Sequence, residues 1–278
     1  MTKDAVFELV KSLTKEEIRF FKKQESNKKS DAFRLYEIFS NLREYDNEVI
    51  KKKFKKTGQL AVTKNILLNK LLTSLHAVSR QANQKIEMQD EIISLEILLH
   101  KKNYSLFERR LKAALKKAYA QERFLILMHL LHLKQKYLVD LKDDRIRQTL
   151  LDTQEEKRAV SALFQEYIQL KDLQEEVIVF FKRSSNQVVE RVVQTLDANP
   201  LLKEDKLPKS FRSQCIYYDL MAYRAYWKRE YSLRHKYYKT MVELWEKHPQ
   251  FWQEEPMKYV KAICGLLNSC IKTKKLEH

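Results

Sequence analysis

An all-α protein is the fold class this sequence predicts, and three observations predict it. Only two glycines, Gly58 and Gly265, and four prolines, Pro200, Pro208, Pro249 and Pro256, occur among 278 residues. Average usage near 7% would place about twenty glycines in turns, bulges and close approaches to ligands. Apolar residues recur at spacings of three and four along the whole chain, the pattern of helices with one buried side. No Pro/Gly/Ser-rich linker interrupts that pattern. The shortage of glycine also removes phosphate-cradling loops and nucleophile elbows, so no enzyme motif is visible.

Each element has its own justification. Thr14 and Glu17 form a capping box that opens a helix through Phe21, because the threonine oxygen accepts from the N–H three residues on while Glu17 reaches back. Ser30 caps the next helix, whose apolar side is Phe33, Tyr36, Ile38 and Phe39. A short basic helix is predicted over Val49 to Lys56, ended by Gly58. Leu67, Leu68, Leu71, Leu72 and Leu75 then give the helix from Leu60 to Ser79 one broad buried face. Residues 1–82 therefore read as an N-terminal helical bundle.

Beyond it, residues 83–275 read as helices separated by short polar breaks: Ile86 to His100, Tyr104 to Ala120, Arg123 to Leu141, and Arg145 onward. Val160, Leu163, Tyr167, Leu170, Leu173, Val177 and Phe180 form one stripe, so a single long helix is expected from Asp152 to Lys182. Asn186 to Leu196 follows, then an irregular connection from Asn199-Pro200 to Pro208. The last three helices are Lys209 to Lys228, Tyr231 to His248 and Pro256 to Lys272, with Pro256 suited to a first turn. Residues 276–278 look like an expression-tag remnant. No apolar run approaches the roughly 20 residues of a membrane span. The opening residues lack the basic-then-apolar order of a signal peptide, so a cytoplasmic protein is expected.

An internal echo points to a repeat: Lys101-Lys102-Asn103-Tyr104-Ser105-Leu106 recurs as Lys228-Arg229-Glu230-Tyr231-Ser232-Leu233, each time between two helices. Aligned on it, Leu111 pairs with Tyr238 and Ala114 with Met241, inward positions of the second helix of a hairpin. Over about residues 86 to 272 this resembles tetratricopeptide-like α-solenoids, through Tyr104, Phe107, Leu111, Ala114 and Tyr231, Arg234, Tyr238, Met241. Arg234 stands where that family has a small residue, and Pro249 lies later than its closing proline. The resemblance implies antiparallel hairpins stacked right-handed, with a groove for a peptide. Leu13 to Lys23 also resembles the opening of a group of bacterial helical proteins, a likeness that names no activity.

Net charge is +17, distributed as +5 over residues 1–58, +6 over 59–120, −1 over 121–200 and +7 over 201–278. Basic flanks attract polyanions and acidic polypeptides. Three clusters are candidates for partner contact. Lys52 and Lys55 belong to the run Lys51-Lys52-Lys53-Phe54-Lys55-Lys56. Arg109, Lys112 and Lys116 share one helix face, with Phe107, Leu111 and Ala114 inward. An aromatic and basic belt spans residues 217–239. Helical spacing there assigns Ile216, Leu220, Tyr223, Trp227, Tyr238, Met241 and Trp245 to the core, leaving Tyr217, Arg224, Tyr226 and Lys228 facing outward.

Chemistry is not nominated anywhere. His129 and His132 lack a matching Glu-x-x-His on a second helix and read as a core or hydrogen-bonded pair rather than metal ligands. The doublets Glu16-Glu17, Asp143-Asp144, Glu155-Glu156, Glu175-Glu176 and Glu254-Glu255 point about 100° apart on a helix and serve the dipole and solubility. Cys215, Cys264 and Cys270 read as free, mostly buried thiols. The expectation is a non-catalytic scaffold or adaptor, with no cofactor or metal. It would bind an acidic protein or peptide through a basic, tyrosine-rich surface, with RNA or single-stranded DNA as the alternative ligand.

Overall fold

A computed structural model describes residues 4–54, 57–82, 84–141, 146–181, 186–203 and 206–273. Among them are fourteen α-helices, two short 3-10 turns and no strand, so the chain is all-α. It divides into two compact units, Met1–Asp90 and Glu91–His278.

The first unit contains α1 (Ala5–Ser12), α2 (Lys15–Gln24), α3 (Asp31–Asn41), α4 (Asn47–Lys53) and α5 (Leu60–Ala82). The Thr14–Glu17 capping box and the Ser30 cap form as expected. Helix α1 was not foreseen; Asp4 caps it, accepting from Val6 and Phe7 at 3.1 and 3.0 Å. Lys64 of α5 also donates to Asp4 at 2.6 Å, tying the chain start to the longest helix of this unit. The core is aromatic: Phe7, Phe21, Phe33, Tyr36 and Phe39 pack with Ile50, Phe54, Leu67 and Leu71.

Two expectations need correction here. Gly58 does not close α4; it lies in the 3-10 turn Thr57–Gln59 without a left-handed φ. The helix ends at Lys53 because Phe54 turns inward, buried, with its N–H on Ile50 O at 2.7 Å. The leucine face of α5 is also narrower than expected, since Leu67 and Leu71 are buried but Leu72 is half-exposed. Successive residues point 100° apart, and full burial is confined to the Thr63–Leu67–Leu71–Ser74 stripe, with Leu68 half-buried beside it.

The divide between the units falls within α6 (Gln84–His100). The second unit continues with α7 (Tyr104–Ala120), α8 (Phe124–Asp140), α9 (Arg147–Phe181), α10 (Asn186–Ala198), α11 (Phe211–Trp227), α12 (Tyr231–Lys247), α13 (Pro249–Glu254) and α14 (Pro256–Thr273). Helix packing follows chain order: α7 on α8, α8 on α9, α9 on α10 and α11, α11 on α12, and α12 on α13 and α14. The stripe of α9 is buried at Val160, Leu170, Leu173 and Val177, whereas Phe180 at its end is exposed. The aligned pairs Leu111 with Tyr238 and Ala114 with Met241 are all buried.

The scarcity of glycine has a visible cost. Three helices end on a left-handed residue, the position glycine normally takes, and here it is Lys102 (φ 56°), Glu122 (φ 47°) and Arg229 (φ 60°). Each is followed by an N–H that reaches back five residues: Asn103 to Leu98 O at 3.0 Å, Arg123 to Ala118 O at 2.9 Å, Glu230 to Ala225 O at 2.8 Å. The sequence echo is therefore a repeated Schellman turn, and residues 120–124 are a third copy that the letters conceal. Gly265, inside α14, is required by packing: a Cβ there would lie 2.7 Å from Cδ1 and Cζ of Tyr238.

Candidate interaction surface

The basic row of α7 is built as the sequence suggests. Phe107, Leu111, Ala114 and Ala118 are buried, which leaves Arg109, Lys112 and Lys116 exposed along the opposite side. Neighbouring acids are already engaged. Glu91 receives Arg110, through Nε at 2.8 Å and through Nη2, and Tyr137 donates its hydroxyl to Glu108. The Glu91 hydrogen bonds outweigh burial and raise the Arg110 pKa. The Arg109–Lys112–Lys116 row thus presents three cations over eight residues, roughly 10 Å of helix.

The belt is different. Tyr217 is 2% exposed, not outward. Helix α11 is covered by α9, α10 and α12 together, so Phe211, Ile216, Tyr217, Leu220, Met221, Ala222 and Ala225 are all buried and a one-sided reading of the helix fails. Arg224 and Lys228 are half-buried and share one carboxylate: Arg224 Nε lies 2.6 Å from Asp197 Oδ1 and Lys228 Nζ 2.6 Å from Asp197 Oδ2. Those donors, Lys228 first, hold the Asp197 carboxyl below its ordinary pKa. Tyr226 is half-buried under the guanidinium of Arg234, which sits 4.6 Å from its ring and 5.5 Å from that of Tyr238. Arg234, which stands where the resembled family has a small residue, serves as the cation between two tyrosines.

The α7 row and the α11 terminus are carried by different helices. The turn after α7 meets α11 at Phe211 and Arg212, where both N–H groups donate to Glu122 at 2.7 and 2.9 Å. Arg224 lies roughly 18 Å further along α11 and Lys228 roughly 24 Å. In the first unit Lys52 is exposed on α4, while Lys55 lies outside the described residues.

An ionic cluster that sequence reasoning missed surrounds that same turn. Arg212 donates through Nη1 to Glu255 at 2.6 Å, through Nη2 to Glu254 at 3.3 Å, and through Nε and Nη2 to Gln121 O at 3.3 Å. Arg123 meets Glu254, Lys258 meets Glu255, and Phe251 lies under the Arg212 guanidinium at 5.2 Å. Burial raises the Glu255 pKa, but hydrogen bonds from Lys258 and Arg212 outweigh it and bring it down to about 2. Glu254-Glu255 is thus not a solvated doublet; it clamps α13 and α14 to the starts of α8 and α11. The signal in the sequence was the doublet beside Pro256, but its arginine partners lie 42 to 131 residues away.

Other candidates also moved. His129 meets Glu96 at 3.1 Å and His132 is exposed, so neither is a core residue. Burial, then Lys136 and Lys157, hold the His132 pKa down. Cys264 is exposed, whereas burial pushes the Cys215 thiol up. Asp219, facing α9, accepts from Gln174 at 2.7 Å, and burial raises its pKa despite that bond. Asp143 and Asp144 lie outside the described residues. Among the described residues no three His, Cys, Asp or Glu side chains converge as metal ligands. No helix among them is long and apolar enough to cross a membrane. A shallow dish in the first unit is lined by consecutive residues from Leu42 to Val49. No protein-family model, curated protein or solved structure matches this chain.

Proposed function

We propose that this chain is a non-catalytic scaffold or adaptor of the cytoplasm, built from tetratricopeptide-like stacked hairpins, that binds an acidic protein or peptide. The observation that carries the reading is the Arg109–Lys112–Lys116 row, exposed while the acids beside it are engaged elsewhere. Unopposed cations on a rigid helix raise association rates with acidic partners and supply charge-assisted hydrogen bonds. The α11 terminus contributes less, because Arg224 and Lys228 already share Asp197. Protein is favoured over nucleic acid because single strands need exposed aromatics beside the cations, whereas Tyr217, Tyr237 and Tyr238 are buried.

The test is fluorescence anisotropy with two labelled probes, a glutamate-rich peptide and a single-stranded oligonucleotide, titrated at several salt concentrations. The expected result is peptide binding that weakens about tenfold or more in Arg109→Glu/Lys112→Glu/Lys116→Glu. Oligonucleotide binding with a steep salt slope and no peptide binding would replace this reading with RNA or single-stranded DNA recognition.

A further inference from the structure

The last described helix carries an apolar stripe that no described residue covers. In α14, Tyr259, Ala262, Ile263, Leu266 and Ser269 turn toward the fold, and Gly265 lets the Tyr238 ring approach. On the other side Met257 is 67% exposed, Val260 45%, Leu267 57% and Ile271 60%, with Cys264 exposed among them. Residues 257, 260, 264, 267 and 271 are spaced three, four, three and four. That is the a/d seam of a heptad, held over roughly 21 Å of helix. Scattered surface apolar residues need no explanation, but a continuous row at the spacing of a helix–helix seam does.

We propose that this seam receives a partner α-helix with its own apolar stripe, flanked by acidic residues. The spacing selects a helix, because only a second helix places knobs at intervals of 3.5 residues. Charge selects its flanks. The α14 sequence, Pro256–Thr273, contains Lys258, Lys261 and Lys272 and no acid. Lys261 is exposed, and Lys258 is exposed while leaning on Glu255. Lys261 stands at the flanking e position of the seam, so a glutamate facing it from a partner helix would pair with it, whereas the α14 of a second copy has no acid to offer. The inference rests on the acidic-partner reading above and adds a seat distinct from the α7 row.

Cys264, in the middle of the seam, serves as reporter. The probe is a synthetic three-heptad helix with leucine at a and d and glutamate at e and g; its control carries lysine at e and g. Saturating glutamate-flanked helix is expected to slow alkylation of Cys264 by iodoacetamide about tenfold or more, while the lysine-flanked helix leaves the rate unchanged. Affinity for the glutamate-flanked helix is expected to fall about tenfold or more in Val260→Glu/Leu267→Glu, and to survive in Arg109→Glu/Lys112→Glu/Lys116→Glu. Circular dichroism checks that the double variant is folded, and Cys264 protection in the unmodified protein is independent of it. Failure of either helix to protect Cys264, or equal protection by both, overturns the proposal. Slower alkylation as protein concentration rises without peptide, with a dimer in sedimentation, overturns it in favour of a second copy. Binding lost only in the α7 variant overturns the seam while leaving the adaptor reading in place.

Discussion

The α7 row and the cations around α11 are made of the same residue types and meet opposite fates. On α7, Arg109, Lys112 and Lys116 stand in solvent because Glu91 and Glu108 are engaged by Arg110 and Tyr137. Around α11, Arg212 is held by Glu254 and Glu255, Arg224 and Lys228 by Asp197, and Arg234 lies between two tyrosines. The cations Arg212, Arg224, Lys228 and Arg234 are therefore less available than the α7 row, although Arg229, Lys236 and Lys239 of the same stretch are exposed. What separates the two is whether acids from distant segments arrive to meet the cations, and composition alone does not report that.

If the α11 cations are structural, removing them costs stability in proportion to their burial. Arg212→Ala takes a buried cation from both Glu254 and Glu255, leaving them Arg123 and Lys258 alone, and a loss of about 3–5 kcal/mol in urea unfolding is expected; a loss under about 1 kcal/mol would make the cluster a surface feature. Glu255 supplies the pH signature. Its folded pKa is lowered to about 2, below the ordinary carboxylate value, so its contribution is present at neutral pH. That contribution is lost as pH falls from the unfolded value toward about 2. The urea midpoint should drop across that window in the unmodified protein and change less in Glu255→Gln.

The belt tyrosines give a test of intermediate size. Gly265→Ala forces the buried Tyr238 ring to move, so a loss of about 1–3 kcal/mol is expected in thermal or urea unfolding. An unchanged stability would mean that the ring yields freely and that the α12–α14 contact is looser than described. Asp197→Asn should cost least, about 0.2–1 kcal/mol, because its pair with Arg224 and Lys228 is partly solvated. Freed from the shared carboxylate, those cations should then gain affinity for a glutamate-rich peptide in the same titration. No gain would show that their pairing does not limit binding.

Most of the helices were legible because caps and periodicity are local. The Thr14–Glu17 box, the Ser30 cap and the bounds Tyr104–Ala120 follow from neighbouring letters alone. Helix α13 was missed because Pro249, read as a late closing proline, instead opens a short helix at a position where its lack of an N–H costs nothing. Tyr217 was misassigned because helical spacing identifies one buried face, and α11 has several. The candidate site divides the same way. The α7 row depends on one helix and was readable, whereas the Arg212 cluster joins positions 121, 123, 212, 254, 255 and 258 through the fold.

Peptide affinity in two charge-reversed proteins compares the two regions most directly: Arg109→Glu/Lys112→Glu/Lys116→Glu and Arg224→Glu/Lys228→Glu, each titrated with the glutamate-rich peptide. The account predicts that the α7 variant keeps its stability within about 0.5 kcal/mol and loses about tenfold or more in affinity. The α11 variant should lose stability first and less affinity. The reverse order, with affinity lost at α11 and kept at α7, would contradict it.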